Sequence, residues 1–219
     1  MHLFALQHFS DRFGIDLTVP DFLDAVERSS ISATQDMASR LRFNSFDAYA
    51  TRRDFYFVDR TYHGANANTA DFLMSRAFVT GSAVAKYATT PIHIRNGDAN
   101  SFTLVADVFG DGESDHGFLN SEQGVFSTFG IELEGLWVAI EYSGGLDVNT
   151  DSEFDEVPSW LSEAAMAQTA LNLSTHIMFQ TEDTPSDMRQ LRANLTQTYS
   201  RYARLHLAAY QPRFTEPSV

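Results

Sequence analysis

The sequence predicts an α+β fold whose core is a helical bundle or helical hairpin, with a small β-rich insertion in the middle, all within one domain over residues 1–219. Two observations predict the helices. Phe22, Val26, Ala33, Met37 and Leu41 near the start, and Leu161, Ala164, Ala165, Gln168, Leu171, Thr175 and Met178 later, fall on helical spacings that place each set on one buried face. Met188, Leu191, Leu195, Tyr199, Tyr202 and Leu205 form a third such stripe, suited to packing against the second. The β-rich insertion follows from a third observation. Between Phe46 and Ile140 no helical period lasts, and short β-type runs alternate with turn residues.

Taken in order, Met1 to Leu17 carries Leu3, Phe4, Leu6, Phe9 and Phe13, too apolar for a free tail, so it packs on the body or on a partner. Thr18-Val19-Pro20-Asp21 then opens a helix over about 20–41, with proline in the first turn and Thr and Asp three apart. In the middle, about 46–142, the runs are Asp54 to Asp59, Phe72 to Thr80, Ser82 to Tyr87, Ile92 to Arg95, Phe102 to Val108 and Gly124 to Ile131. Gly64 to Asn68, Asn96-Gly97 and Gly110-Asp111-Gly112 punctuate them, the second as a two-residue hairpin turn. Leu136, Val138 and Ile140 alternate with Trp137, Ala139 and Glu141 as a half-buried strand that Gly144-Gly145 turns. Asp147 to Glu156, with five acidic side chains, is a solvated loop before a helix over about 158–180 opened by Pro158. Thr184-Pro185-Ser186-Asp187 opens the last helix, about 186–209, which forms an antiparallel hairpin with its predecessor across Thr181 to Pro185. Pro212 and Pro217 keep 210–219 an extended tail.

A chain of 219 residues with 43% hydrophobic composition and 18 Phe buries a substantial core. No apolar run is long enough to span a bilayer, and the first residues lack a secretory pattern, so a soluble protein with no membrane association is expected. The absence of Cys excludes disulfides and thiolate chemistry. With 29 acidic residues against 15 basic ones, of which Lys86 is the sole lysine, the net charge of -14 opposes binding a duplex through its phosphates unless the arginines gather on one patch. Such a surface either keeps the protein in solution or lines something DNA slides past.

Chemistry is sparse. The His at 2, 8, 63, 93, 116, 176 and 206 have no metal-ligand spacing. Asp107, Asp111, Glu113 and Asp115, followed by His116, place Phe109 where a calcium-loop ligand would fall, and read as an exposed acidic tip. Ser143 lacks a nucleophile elbow, Lys86 sits in an apolar strand as an edge residue, and His176 reads as a core or interface histidine. No catalytic, cofactor or metal site is expected, and no enzyme.

The order of these elements resembles the head–tail connector, or adaptor, proteins of tailed bacteriophages and gene transfer agents. The shared features are the opening helix Phe22 to Leu41, the Arg-rich aromatic stretch Tyr49 to Arg60, the apolar segment Phe72 to Val79, and a closing strand-turn-helix motif. That motif runs through Tyr142, Gly144 and Gly145 to Val157, Pro158, Trp160 and Leu161, while 96–127 looks like an insertion outside the family pattern. The resemblance implies a structural virion protein of the neck, made in the bacterial cytoplasm. It would form a homo-oligomeric ring, a dodecamer, beneath the portal protein and against a tail-side completion, stopper or terminator protein, with DNA passing through unbound. The docking candidates are the tail residues Tyr210, Pro212, Arg213, Phe214, Pro217 and Val219, then the acidic loop, and deleting the tail is expected to abolish assembly while leaving the fold intact. The alternative is a soluble α+β small-ligand-binding or sensor domain whose aromatic middle wraps its ligand.

Overall fold

The structure, a computed structural model, describes residues 1–41, 46–59, 62–63, 68–105, 115–149, 153–176 and 184–217. The chain divides into two compact units, one of Met1–Asp47 with Leu146–Ala203, the other of Ala48–Gly145 with Arg204–Val219.

The first unit is helical. The apolar N-terminal segment forms α1 (Leu6–Phe13), closed by Gly14 in the left-handed conformation (φ 64°). Phe9 is fully buried and lies 5.7 Å from Phe4 and 4.7 Å from Phe13, and Arg12 pairs with Glu163 while His2 meets Ser30, so this segment packs on the first unit. Next, α2 (Pro20–Arg40) starts on its proline, although Thr18 bonds back to Asp16 instead of capping the helix. It lays Val26, Ser29, Ala33 and Met37 against α4 (Ser159–Asn172), whose Ala164, Ala165 and Ala170 let the two backbones approach closely enough for Ser29 Oγ to donate to Thr169 O at 3.3 Å. The helix expected over 158–180 therefore stops early. Asn172, Ser174 and Thr175, whose side chains favour turns, end it in a turn over 173–175, and the expected hairpin link lies largely outside the described residues. The last helix, α5 (Thr184–Ala208), meets α4 where Trp160 lies 5.3 Å from Tyr202 and Tyr199 Oη donates to Gln168 Oε1.

The second unit overturns the expectation of a helical core carrying a small β insertion. It holds two five-stranded sheets around their own core. The first sheet has the order β10-β1-β9-β4-β5, with β1 Tyr49–Phe57, β4 Val79–Ala88, β5 Asn100–Ser101, β9 Trp137–Gly144 and β10 Phe214–Pro217. The second runs β2-β3-β8-β7-β6, with β2 Tyr62–His63, β3 Asn68–Leu73, β6 Thr103–Val105, β7 His116–Asn120 and β8 Val125–Phe129. All neighbours are antiparallel except β6 and β7. Tyr56, Val138, Ile140 and Tyr142 from the first sheet meet Ala70, Phe72 and Phe126 from the second in one core. Gly117 leaves room for the Phe126 ring, since a Cβ there would stand 2.3 Å from it.

Two β-type runs resolve differently. Phe72 to Thr80 is not one strand. Residues 74–78 break it between β3 and β4, with Phe78 at φ 56°. Ile92 to Arg95 belongs to α3 (Pro91–Asn96), with proline in the first turn, Thr90 accepting from His93 N, and Gly97 left-handed at the end (φ 87°). Asn96-Gly97 thus closes a helix instead of turning a hairpin.

Candidate interaction site

Asp54 is the centre of the best-built polar cluster in the second unit. It follows two arginines in β1, and strand alternation turns it toward the two-sheet core while Arg53 and Phe55 lie on the opposite face of the sheet, where Phe55 is buried with Ala88, Ile94 and Ala139. Its side chain is fully buried. One carboxylate oxygen accepts from Ser75 N at 2.7 Å and Tyr142 Oη at 2.5 Å, with Tyr56 Oη at 3.5 Å; the other accepts from Ser75 Oγ at 2.9 Å and Thr215 Oγ1 at 2.6 Å. Burial, then the Asp54 charge, pushes the phenols of Tyr56 and Tyr142 well above the usual tyrosine range, so both keep their protons, Tyr142 donating to the carboxylate and Tyr56 chiefly to Leu73 O at 3.0 Å. With each lone pair engaged and no exposure, the carboxylate ties β1, the 74–78 link, β9 and β10 together and cannot meet a substrate.

The outward face of the same sheet carries the charges. Arg53 bonds Glu141 through Nε at 2.9 Å and also through Nη2, and its other nitrogen lies 3.7 Å from Glu216 on β10. Arg95 from α3 reaches Glu216 at 2.8 Å and covers the rings of Phe55 and Phe214, which stack 4.5 Å apart. Beside this ladder a groove of about 190 Å³ is lined by Arg53, Val84, Lys86, Ile94, Ala139 and Glu141. Lys86 is half-buried and makes no ion pair among the described residues.

A second, more open cleft of about 410 Å³ lies between β3 and the end of α5, lined by Thr69, Asp71, Arg204, Leu207 and Ala208. Leu207 is 85% exposed there.

The residues singled out from the sequence fall into three places. Tyr142, Gly144 and Gly145 close β9 in the second unit. A Cβ on Gly144 would stand 2.1 Å from Phe78 O, and Gly145, at φ 95°, donates to that same carbonyl at 2.8 Å, so the pair lets two backbones cross. Val157, Pro158, Trp160 and Leu161 belong to the first unit, where Pro158 precedes α4 and Leu161 is fully buried. The tail is part of the sheet. Tyr210 stacks on Phe72 at 5.6 Å and exchanges backbone bonds with Asp71 and Leu73. Pro212 leads to Arg213, whose N–H donates to Phe55 O; Phe214 stacks on Phe55, and Pro217 is opposite Arg52. Val219 lies outside the described residues, as do Asp107, Phe109, Asp111 and Glu113 of the acidic tip. Asp115, at its edge, accepts from Tyr87 Oη at 2.9 Å, and burial with that bond holds the Tyr87 phenol up at about 12.

Sequence reasoning missed Asp54, Ser75 and Thr215. The one available signal was a charged residue at an inward position of an otherwise aromatic strand, Asp54-Phe55-Tyr56. Among the described residues no group of His, Asp and Glu could hold a metal, and no helix is long and apolar enough to cross a membrane. Comparison with protein-family models and with curated proteins finds no match.

Proposed function

We propose that this chain is a structural assembly subunit, the head–tail adaptor of a tailed virion or gene transfer agent, in a ring beneath the portal that continues the DNA channel. The observation that carries this reading is the filled interior of the two-sheet unit. Tyr56, Phe72, Phe126 and Tyr142 fill it, and Asp54, the one buried carboxylate among the described residues, is fully bonded, which supports a role for the outer surfaces. The resemblance of the Tyr142–Gly145 and Val157–Leu161 stretches then supplies the kind of assembly. An excess of acid over base gives passing phosphates little to pair with. Tail docking that drew β10 off β1 would link assembly to the integrity of the sheet.

Quantitative mass spectrometry of purified tailed particles tests the reading. Copies near those of the portal support it, and absence from the particles refutes it. The sensor reading draws on the cleft at Leu207, and a stoichiometric small ligand retained through purification and lost in Leu207→Asp would favour it.

A further inference from the structure

Lys86 is opposite Ala139 on one neighbouring strand and Ser101 on the other, so neither neighbour sets a carboxylate against it. The nearest acid of the groove, Glu141, is taken by two nitrogens of Arg53. Val84, two residues away on the same face, is 43% exposed. The result is a shallow site with an ammonium group and an apolar floor beside the Arg53–Glu141 pair, in a chain of net charge -14. At about 190 Å³ it is smaller than the pockets of about 300–1,000 Å³ that enclose small molecules, and it suits protein side chains.

The complementary surface is on the same sequence. Residues 147–149 and 153–155 form the two antiparallel strands of a hairpin, in which Asp155 N donates to Asp147 O, Asn149 N donates to Glu153 O, and Val148 bridges Phe154. Phe154 is buried and lies 6.4 Å from Phe46, which anchors the hairpin, while Val148 stays 42% exposed among the exposed carboxylates Asp147, Asp155 and Glu156. An exposed apolar residue beside acids matches an apolar floor beside the Lys86 ammonium group.

We infer that the Lys86 groove receives the paired strands 147–149 and 153–155 of a second copy of this chain, an inference that rests on the ring reading and gives it a contact. The two patches differ, so the interface is head-to-tail, the kind that propagates into a ring instead of closing at a pair.

Analytical ultracentrifugation of the full chain tests this with two variants, Lys86→Glu and the double variant Asp147→Lys/Asp155→Lys. The wild type is expected to self-associate, more weakly as salt screens the charges. Each variant alone is expected to associate at least tenfold more weakly, with unchanged circular dichroism and urea midpoint. Mixed together they regain association, because the unaltered hairpin of Lys86→Glu meets the unaltered groove of the double variant and the two reversed patches also attract each other. Wild-type-like association of Lys86→Glu, a mixture that stays monomeric, or a wild type that never associates would each overturn the inference. The copy number in particles judges the adaptor reading separately, so failure of the groove and failure of that reading are distinguishable.

Discussion

Replacing Asp54 is the sharpest test of how the two-sheet unit holds its terminal strand. In Asp54→Ala the Ser75 N–H, fixed by its backbone, loses its 2.7 Å acceptor and has nowhere to turn, at about 1–3 kcal/mol. The hydroxyls fare better. Tyr142 Oη is already 2.9 Å from Ser75 Oγ, and Thr215 is at the surface where water can take its proton, so each adds about 1 kcal/mol. The total is about 3–5 kcal/mol, a large share of the stability of an ordinary domain. Thr215→Val removes only one bond and costs about 1–2 kcal/mol, and because that bond ends on Asp54 the double variant falls short of the sum by at least about 0.5 kcal/mol. Urea unfolding followed by Trp137 fluorescence, in a Trp160→Phe background, reports this unit, since Trp137 lies 6.0 Å from Phe214. A loss below about 1 kcal/mol in Asp54→Ala, or additivity with Thr215→Val, refutes the account of the cluster as the latch of β10.

Gly144→Ala forces a Cβ to within 2.1 Å of Phe78 O and 2.8 Å of Thr80 N, both backbone, and is expected to cost more than about 2 kcal/mol in the same unfolding assay. Ending the chain after Arg213 removes the Phe214 stack, the Thr215 bond and the Glu216 ion pairs, so the unit loses about 2–4 kcal/mol, where sequence reasoning expected an intact fold; an unchanged urea midpoint would restore that expectation. His2 supplies a pH dependence. It is buried against Ser30, and burial first, then the N-terminal charge, lowers its pKa below the usual histidine value, against the opposing pull of Glu27 and Glu153. The unfolded chain therefore takes up the proton first as pH falls, so this contribution is fully present above about pH 6.5 and is lost below it. Comparing urea midpoints near pH 7.5 and about pH 5.5, His2→Gln is expected to flatten the wild-type decline by tenths to about 1 kcal/mol, and parallel declines would show that His2 does not cause it.

What was legible in the sequence is what local pattern alone determines. The stripe Val26, Ala33 and Met37 and the start at Pro20 give α2 because both signals lie within one element. The alternation of Leu136 to Glu141 gives β9 for the same reason. The α3 signals were also present, Pro91 six residues before Gly97 with Thr90 ahead of it, but Ile92 and Ile94 alternate as a strand would, and a six-residue element is too short for period to decide. The weight of the β part was not legible, because it rests on pairings such as β1 with β10, where Phe55 meets Phe214, and no short window contains both partners. Once β10 is placed, the rest follows physically. Asp54 at an inward position is costly until Ser75, Tyr142 and Thr215 converge on it, and they come from the 74–78 link, from β9 and from the chain terminus. The outward neighbours of that buried carboxylate are Arg53 and Phe55, the residues that hold Glu216 and Phe214. Both faces of β1 therefore clasp the same four-residue strand, and any partner that draws the tail away must compensate the buried carboxylate on one face and the charge ladder on the other.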